Sequence, residues 1–119
     1  MFFRKWFKKK EFSLGHVHDD ITVREGKDTL DLYVEADPAH VIAGMNRAVE
    51  ALKGITVETP DEEITKAALD FAGSIFGTEQ AAALLEFYHG SGSSVISICG
   101  KYFNERLGKK ITEAQKARK

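Results

Sequence analysis

At Asp37-Pro38 the apolar pattern of this chain changes period, and that switch limits the fold more than any other feature of the sequence. Before it, Ile21 and Val23, then Leu30, Leu32 and Val34, alternate with Thr22, Arg24, Asp31, Tyr33 and Glu35, the pattern of a half-buried strand. Glu25-Gly26-Lys27-Asp28 supplies turn residues between them, so 20–35 is expected to form a β-hairpin with one apolar face. The stretch 12–17 is a candidate third strand. A lone hairpin is marginal in water, so the chain that follows must cover its apolar face.

That following chain reads as helices. Asp37-Pro38 provides an N-cap and a first-turn proline, and Val41, Ile42, Met45, Val49 and Leu52 recur at helical spacing up to Gly54. Thr59-Pro60-Asp61-Glu62 has the form of a capping box for a second helix, which carries Ile64, Ala68, Phe71, Ala72, Ile75 and Phe76 and stops at Gly77. Thr78 is a candidate cap for a third, shorter helix with Ala81, Leu84, Leu85 and Tyr88, ending at Gly90. Ser91-Gly92-Ser93-Ser94 reads as a loop, and a last helix starts near Val95 with Ile96, Cys99, Tyr102, Phe103 and Leu107 along one side. The expectation is an α+β, mostly helical fold, with an N-terminal hairpin of two or three strands packed on a four-helix, bundle-like segment. It divides into a basic aromatic arm (1–11), a single domain (12–108) and a basic helical extension (109–119).

Length supports one core rather than two, since 119 residues match one ordinary domain. Cys99 is the only cysteine, which fits a reducing compartment. No unbroken apolar stretch of signal-peptide length follows the basic N-terminus, and the cytoplasm is the expected location. The net charge of −1 conceals an asymmetry. Arg4, Lys5, Lys8, Lys9 and Lys10 against Glu11 give the arm +4, and Lys109, Lys110, Lys116, Arg118 and Lys119 against Glu113 give 108–119 another +4. Residues 12–107 therefore carry −9, which with the two ends restores −1. An acidic body with basic ends suits a second copy of itself, an acidic partner, nucleic acid or an anionic surface.

Groups capable of chemistry are few. His16 and His18 would share one strand face beside Asp19 and Asp20, but a metal needs a third ligand, and a polar entry to the hairpin is the preferred reading. Cys99 lies in an apolar stripe, with no sequence context pairing it to His40 or His89 as a base, so it reads as a small core hydrophobe. Gly90 to Ser94 precede a helix without the lysine or spacing of a phosphate loop, and read as a connector. Glu62 and Glu63 sit in a first helical turn, where the dipole favours them without catalysis. No catalytic residue, metal or cofactor is expected. The arm is the most unusual segment: Phe2, Phe3, Trp6 and Phe7 interleave with lysines, as in membrane-surface helices or single-strand nucleic-acid binders. Its plainer reading is aromatics packed on this domain or on a neighbouring copy.

The stretch Phe71-Ala72-Gly73-Ser74-Ile75-Phe76-Gly77-Thr78-Glu79-Gln80-Ala81, continuing Leu84-Leu85-Glu86-Phe87-Tyr88 and then Tyr102-Phe103-Asn104-Glu105-Arg106-Leu107, resembles small proteins encoded among the tail genes of phages and prophages of Gram-positive bacteria. Many of these are tail assembly chaperones. The resemblance spans about 45–110 and implies a non-enzymatic, often self-associating factor of the host bacterial cytoplasm. Such a factor binds the tape measure protein, keeps it soluble and helps recruit tail tube subunits. The residues expected to meet a partner are Phe3, Trp6, Phe7, Lys8 and Lys9 of the arm and Leu84, Leu85, Tyr88, Tyr102 and Phe103 of the helical stripes. The alternative is a prophage protein that binds nucleic acid or acidic membrane through the arm.

Overall fold

The computed structural model describes residues 16–117. Two antiparallel strands, β1 (Val17–Glu25) and β2 (Asp28–Ala36), open the fold. The hairpin is longer than the 20–35 of the sequence reading, because Val17 pairs with Ala36 and the ladder runs unbroken to Glu25 with Asp28. Gly26 turns the chain with φ of +63°, and Lys27 keeps a negative φ. Glycine first with an ordinary second residue is the type II′ hairpin pattern. Among the described residues the sheet has two strands; of the candidate third strand, Val17 belongs to β1 and 12–15 lie outside the described residues.

Strand alternation turns Val17, Asp19, Ile21 and Val23 of β1, with Leu30, Leu32, Val34 and Ala36 of β2, toward the helices. Those helices are α1 (Pro38–Lys53), α2 (Asp61–Phe76), α3 (Thr78–Phe87) and α4 (Gly92–Tyr102), which runs on through a π-helical turn (Phe103–Leu107) into α5 (Gly108–Ala117). The fold is α+β and mostly helical, as the change of period predicts. At its centre is α2, which packs on α1, α3, α4 and β2. Ala68, Phe71, Ala72, Ser74, Ile75 and Phe76 of α2 are all buried. The Phe76 ring stacks on Tyr102 at 5.9 Å between centroids.

Caps decide the helix limits, not always as the sequence suggests. Asp37 caps α1 as expected, accepting from the Ala39 N–H at 3.2 Å. Thr59 does not cap α2; its hydroxyl accepts from the Thr56 N–H at 2.8 Å, and Pro60 takes the cap position without a side-chain bond. The acidic first turn of Asp61, Glu62 and Glu63 compensates through the dipole. Thr78 is the first residue of α3 rather than its cap, which is Gly77. That helix closes with the left-handed residue at His89 (φ 59°), one position earlier than the expected Gly90, with the Gly90 N–H bonded back to Leu85 O at 2.9 Å. The serine-glycine stretch is the start of α4, not a loop: Ser91 is its N-cap, accepting from the Ser94 N–H at 3.2 Å. In α5, Ile111 is buried in the core, so the packed body continues past 108.

Candidate functional site

The α1 helix carries two apolar lines side by side. Val41, Gly44 and Ala48 are buried against the rest of the fold. Ile42, Met45, Val49 and Leu52 form the neighbouring line, at the 3-4-3 spacing of a helix-pairing seam. Ile42 and Met45 are half-buried at the core's edge, while Val49 and Leu52 are 45% and 43% exposed. Val57, in the loop after α1, is fully exposed. These are three of the four large hydrophobic residues exposed among the described residues; the fourth is Tyr33 on the hairpin.

The inward line is the one built from smaller residues. A Cβ placed on Gly44 would sit 2.2 Å from Ser74 Oγ, so α1 and α2 touch almost backbone to side chain there. Close approach on the small line sets the rotation of α1 and leaves the bulky line turned partly outward. Arg47 and Asp70 fix the same crossing from outside, with Nε to Oδ2 at 2.8 Å and Nη2 to Oδ1 at 3.1 Å. The Asp70 hydrogen bond, and then its charge, raise the Arg47 pKa.

The groups singled out for chemistry lie apart. His16 is exposed, and His18 Nδ1 lies 3.0 Å from the Tyr33 hydroxyl across the hairpin. Asp20 faces solvent, whereas Asp19 turns into the core and meets Tyr102 and Arg106. Among the described residues no three His, Cys, Asp or Glu side chains converge as a metal site would require. A small cleft of about 170 Å³ beside Ser91 and Ser93 includes the carboxylate residue Asp61, which disfavours a phosphate. Gly92 has a packing reason instead: a Cβ there would lie 2.9 Å from Thr65 Cα of α2.

Cys99 is buried, and burial pushes its thiol up to about 12 from 9.0. A thiol raised this way is inert as a nucleophile at neutral pH. The unfolded thiol ionises first, so the stability this group contributes is complete below pH 9 and drains away as pH rises toward 12. Between pH 9 and 10 the loss is expected to be about 1 kcal/mol. Urea unfolding at the two pH values should show it, and Cys99→Ala should remove most of that slope. Above pH 10 Tyr102 adds a loss of the same sign, because burial and its bond to Asp19 raise its pKa.

No family model, no curated protein and no solved structure matches the chain. Its site is therefore defined by its own geometry.

The expected partner residues separate on inspection. Leu84 is fully buried and Tyr102 is 7% exposed, so both serve the core rather than an outer surface. The physical reason is that each lies on the side of its helix that packs inward on α2, while the opposite side, with Ala82, Ala83 and Glu86 on α3 and Ser97 and Lys101 on α4, meets solvent. Leu85, Tyr88 and Phe103 are half-buried at the rim of the core, with Phe87 and Tyr88 edge to face at 5.1 Å. Phe3, Trp6, Phe7, Lys8 and Lys9 lie outside the described residues. Exposed Val57 was missed, since a single valine in a short connector leaves no periodic signal. No described helix is long and apolar enough to cross a membrane.

Proposed function

We propose that this protein is a non-catalytic assembly factor that receives an amphipathic helix of a protein partner along α1. That is the role implied by its resemblance to tail assembly chaperones, whose client is the helical tape measure protein. The observation that carries the reading is the seam of Ile42, Met45, Val49 and Leu52, with Val57 beyond its end. Its 3-4-3 spacing matches anchors on a facing helix, and burying Val49 and Leu52 gives the complex its apolar core. The rim is polar, with Asn46, Glu50 and Lys53 exposed beside the seam. An apolar centre with a polar rim is the usual anatomy of a protein–protein interface.

Titration calorimetry of the full chain against helical segments of the tape measure protein from the same phage tests this. Binding is expected, and Val49→Ser with Leu52→Ser should weaken it about tenfold or more, since about 1.4 kcal/mol is one decade. Both side chains are half exposed, so the melting temperature should change little. A wild-type chain that binds no such segment, or a double variant that binds as tightly, overturns the reading.

A further inference from the structure

The two outer edges of the hairpin are not equivalent. On β2, the Gln80 side chain lies against the backbone of Tyr33: the Tyr33 N–H donates to Gln80 Oε1 at 2.8 Å, and Gln80 Nε2 donates to Tyr33 O at 2.7 Å. The side-chain amide thus imitates a neighbouring strand and closes that edge at its middle. Because Tyr33 bonds outward, its pair with Asp20 is a non-hydrogen-bonded one, and the alternation fixes every other position. His18, Asp20, Thr22 and Arg24 therefore aim their N–H and C=O groups away from β2. Among the described residues only the Asp20 N–H of this row has a partner, Asp19 Oδ1 at 2.9 Å.

A groove of about 590 Å³ runs along this open edge, between β1 and the wall formed by Ile98, Lys101 and Glu105. An unpaired strand edge beside a groove accepts an added strand. The side chains say which strand. In Asp20-Ile21-Thr22-Val23-Arg24 the outward residues read acid, hydroxyl, base, so the segment is its own antiparallel complement. Charge opposes the same arrangement on β2, where centring on Tyr33 would set Asp31 against Glu35 of the other chain.

We propose that a second copy of this chain adds to the β1 edge, antiparallel, with the two-fold axis at Thr22. Thr22 then exchanges both backbone hydrogen bonds with Thr22 of the second copy. Each Arg24 N–H donates to the Asp20 carbonyl opposite, leaving the Asp19 bond to the Asp20 N–H intact. Asp20 faces Arg24 of the second copy twice over, and the two hairpins become one four-stranded sheet. Lys101 and Glu105, one helical turn apart and opposite in sign, make the groove's far wall self-complementary too. This surface is separate from the α1 seam, and the proposal stands whether or not a helix docks there.

Sedimentation equilibrium of the full chain tests it. The wild type should be a dimer, and Asp20→Arg, which sets Arg against Arg24, should weaken dimerisation about tenfold or more. Adding Arg24→Asp to that variant should restore the dimer, a rescue that a general loss of stability would not give. Thr22→Pro should also yield a monomer, with circular dichroism confirming the fold, because proline is tolerated where the N–H points off an edge. A monomeric wild type overturns the proposal. A dimer indifferent to Asp20→Arg and Thr22→Pro overturns it equally.

Discussion

Replacing Gly44 by alanine is expected to destabilise the fold by about 2 kcal/mol, within the usual range for overpacking a close contact. The sign is informative, because glycine to alanine inside a helix normally stabilises by about 1 kcal/mol. Here the new Cβ would lie 2.2 Å from Ser74 Oγ and 2.5 Å from Ser74 Cβ, distances that no real contact tolerates. Ser74 has little room to yield, since it is buried and its hydroxyl donates to Phe71 O at 2.6 Å. The next atom a Cβ would meet is Arg47 Nη2, at an ordinary 3.7 Å, so the clash belongs to one partner. Ser74→Gly in the Gly44→Ala background should therefore recover most of the loss, with a coupling above about 1 kcal/mol in a double-mutant cycle. Urea unfolding of the four proteins supplies the cycle. A stable Gly44→Ala protein, or a loss that Ser74→Gly leaves untouched, would show that α1 does not rest on α2 at this point.

The same contact explains why the face of α1 was only half legible in the sequence. Periodicity announced the helix, and Asp37-Pro38 and Gly54 marked its ends. It did not say which of two adjacent lines faces inward, because large apolar residues are the usual guide to the core. Gly44 and Ala48 win the inward position through closeness of approach, a tertiary property that a spacing pattern does not encode. Leu84 and Tyr102 show the converse: helical spacing marks an apolar residue equally well at a surface and at a centre, so their full burial depended on what packs over them. The hairpin was legible because its period and its Glu25-Gly26-Lys27-Asp28 turn agree. At its first residues polarity misled. His16, His18, Asp19 and Asp20 read as a solvated entry, yet extending the alternation back from Ile21 already places Asp19 in the inward line beside Val17. The capping box failed for a local reason, since Thr59 finds a backbone partner in the preceding turn before α2 begins.

That inward carboxylate yields the second large effect. The Asp19 side chain is 7% exposed, while that of its partner Arg106 is 52% exposed. Arg106 Nη2 reaches Asp19 Oδ1 at 2.5 Å, and the Tyr102 hydroxyl donates to Oδ2 at 2.8 Å. Tyr102 and Arg106 are four residues apart across the entry to the π-helical turn, which keeps both on the side facing β1. The two members of the ion pair are therefore not interchangeable. Without Asp19, Arg106 turns into water at small cost, the Asp20 N–H loses its partner at the exposed strand edge, and the Tyr102 hydroxyl is the one buried group left without its bond. Without Arg106, a buried charge keeps two hydrogen-bond donors but no countercharge. Arg106→Met is expected to cost about 2–3 kcal/mol, somewhat below the range for breaking a fully buried pair because the guanidinium is half in water. Asp19→Val should cost about 1 kcal/mol or less, since valine continues the apolar face between Val17 and Ile21 while one hydroxyl goes unsatisfied. Combining Asp19→Val, Arg106→Met and Tyr102→Phe should return stability to near the wild-type value, as replacing a whole buried polar cluster by apolar groups often does. Thermal unfolding of the three proteins decides the matter: if Asp19→Val is the more damaging single change, the carboxylate is not the buried centre of the cluster.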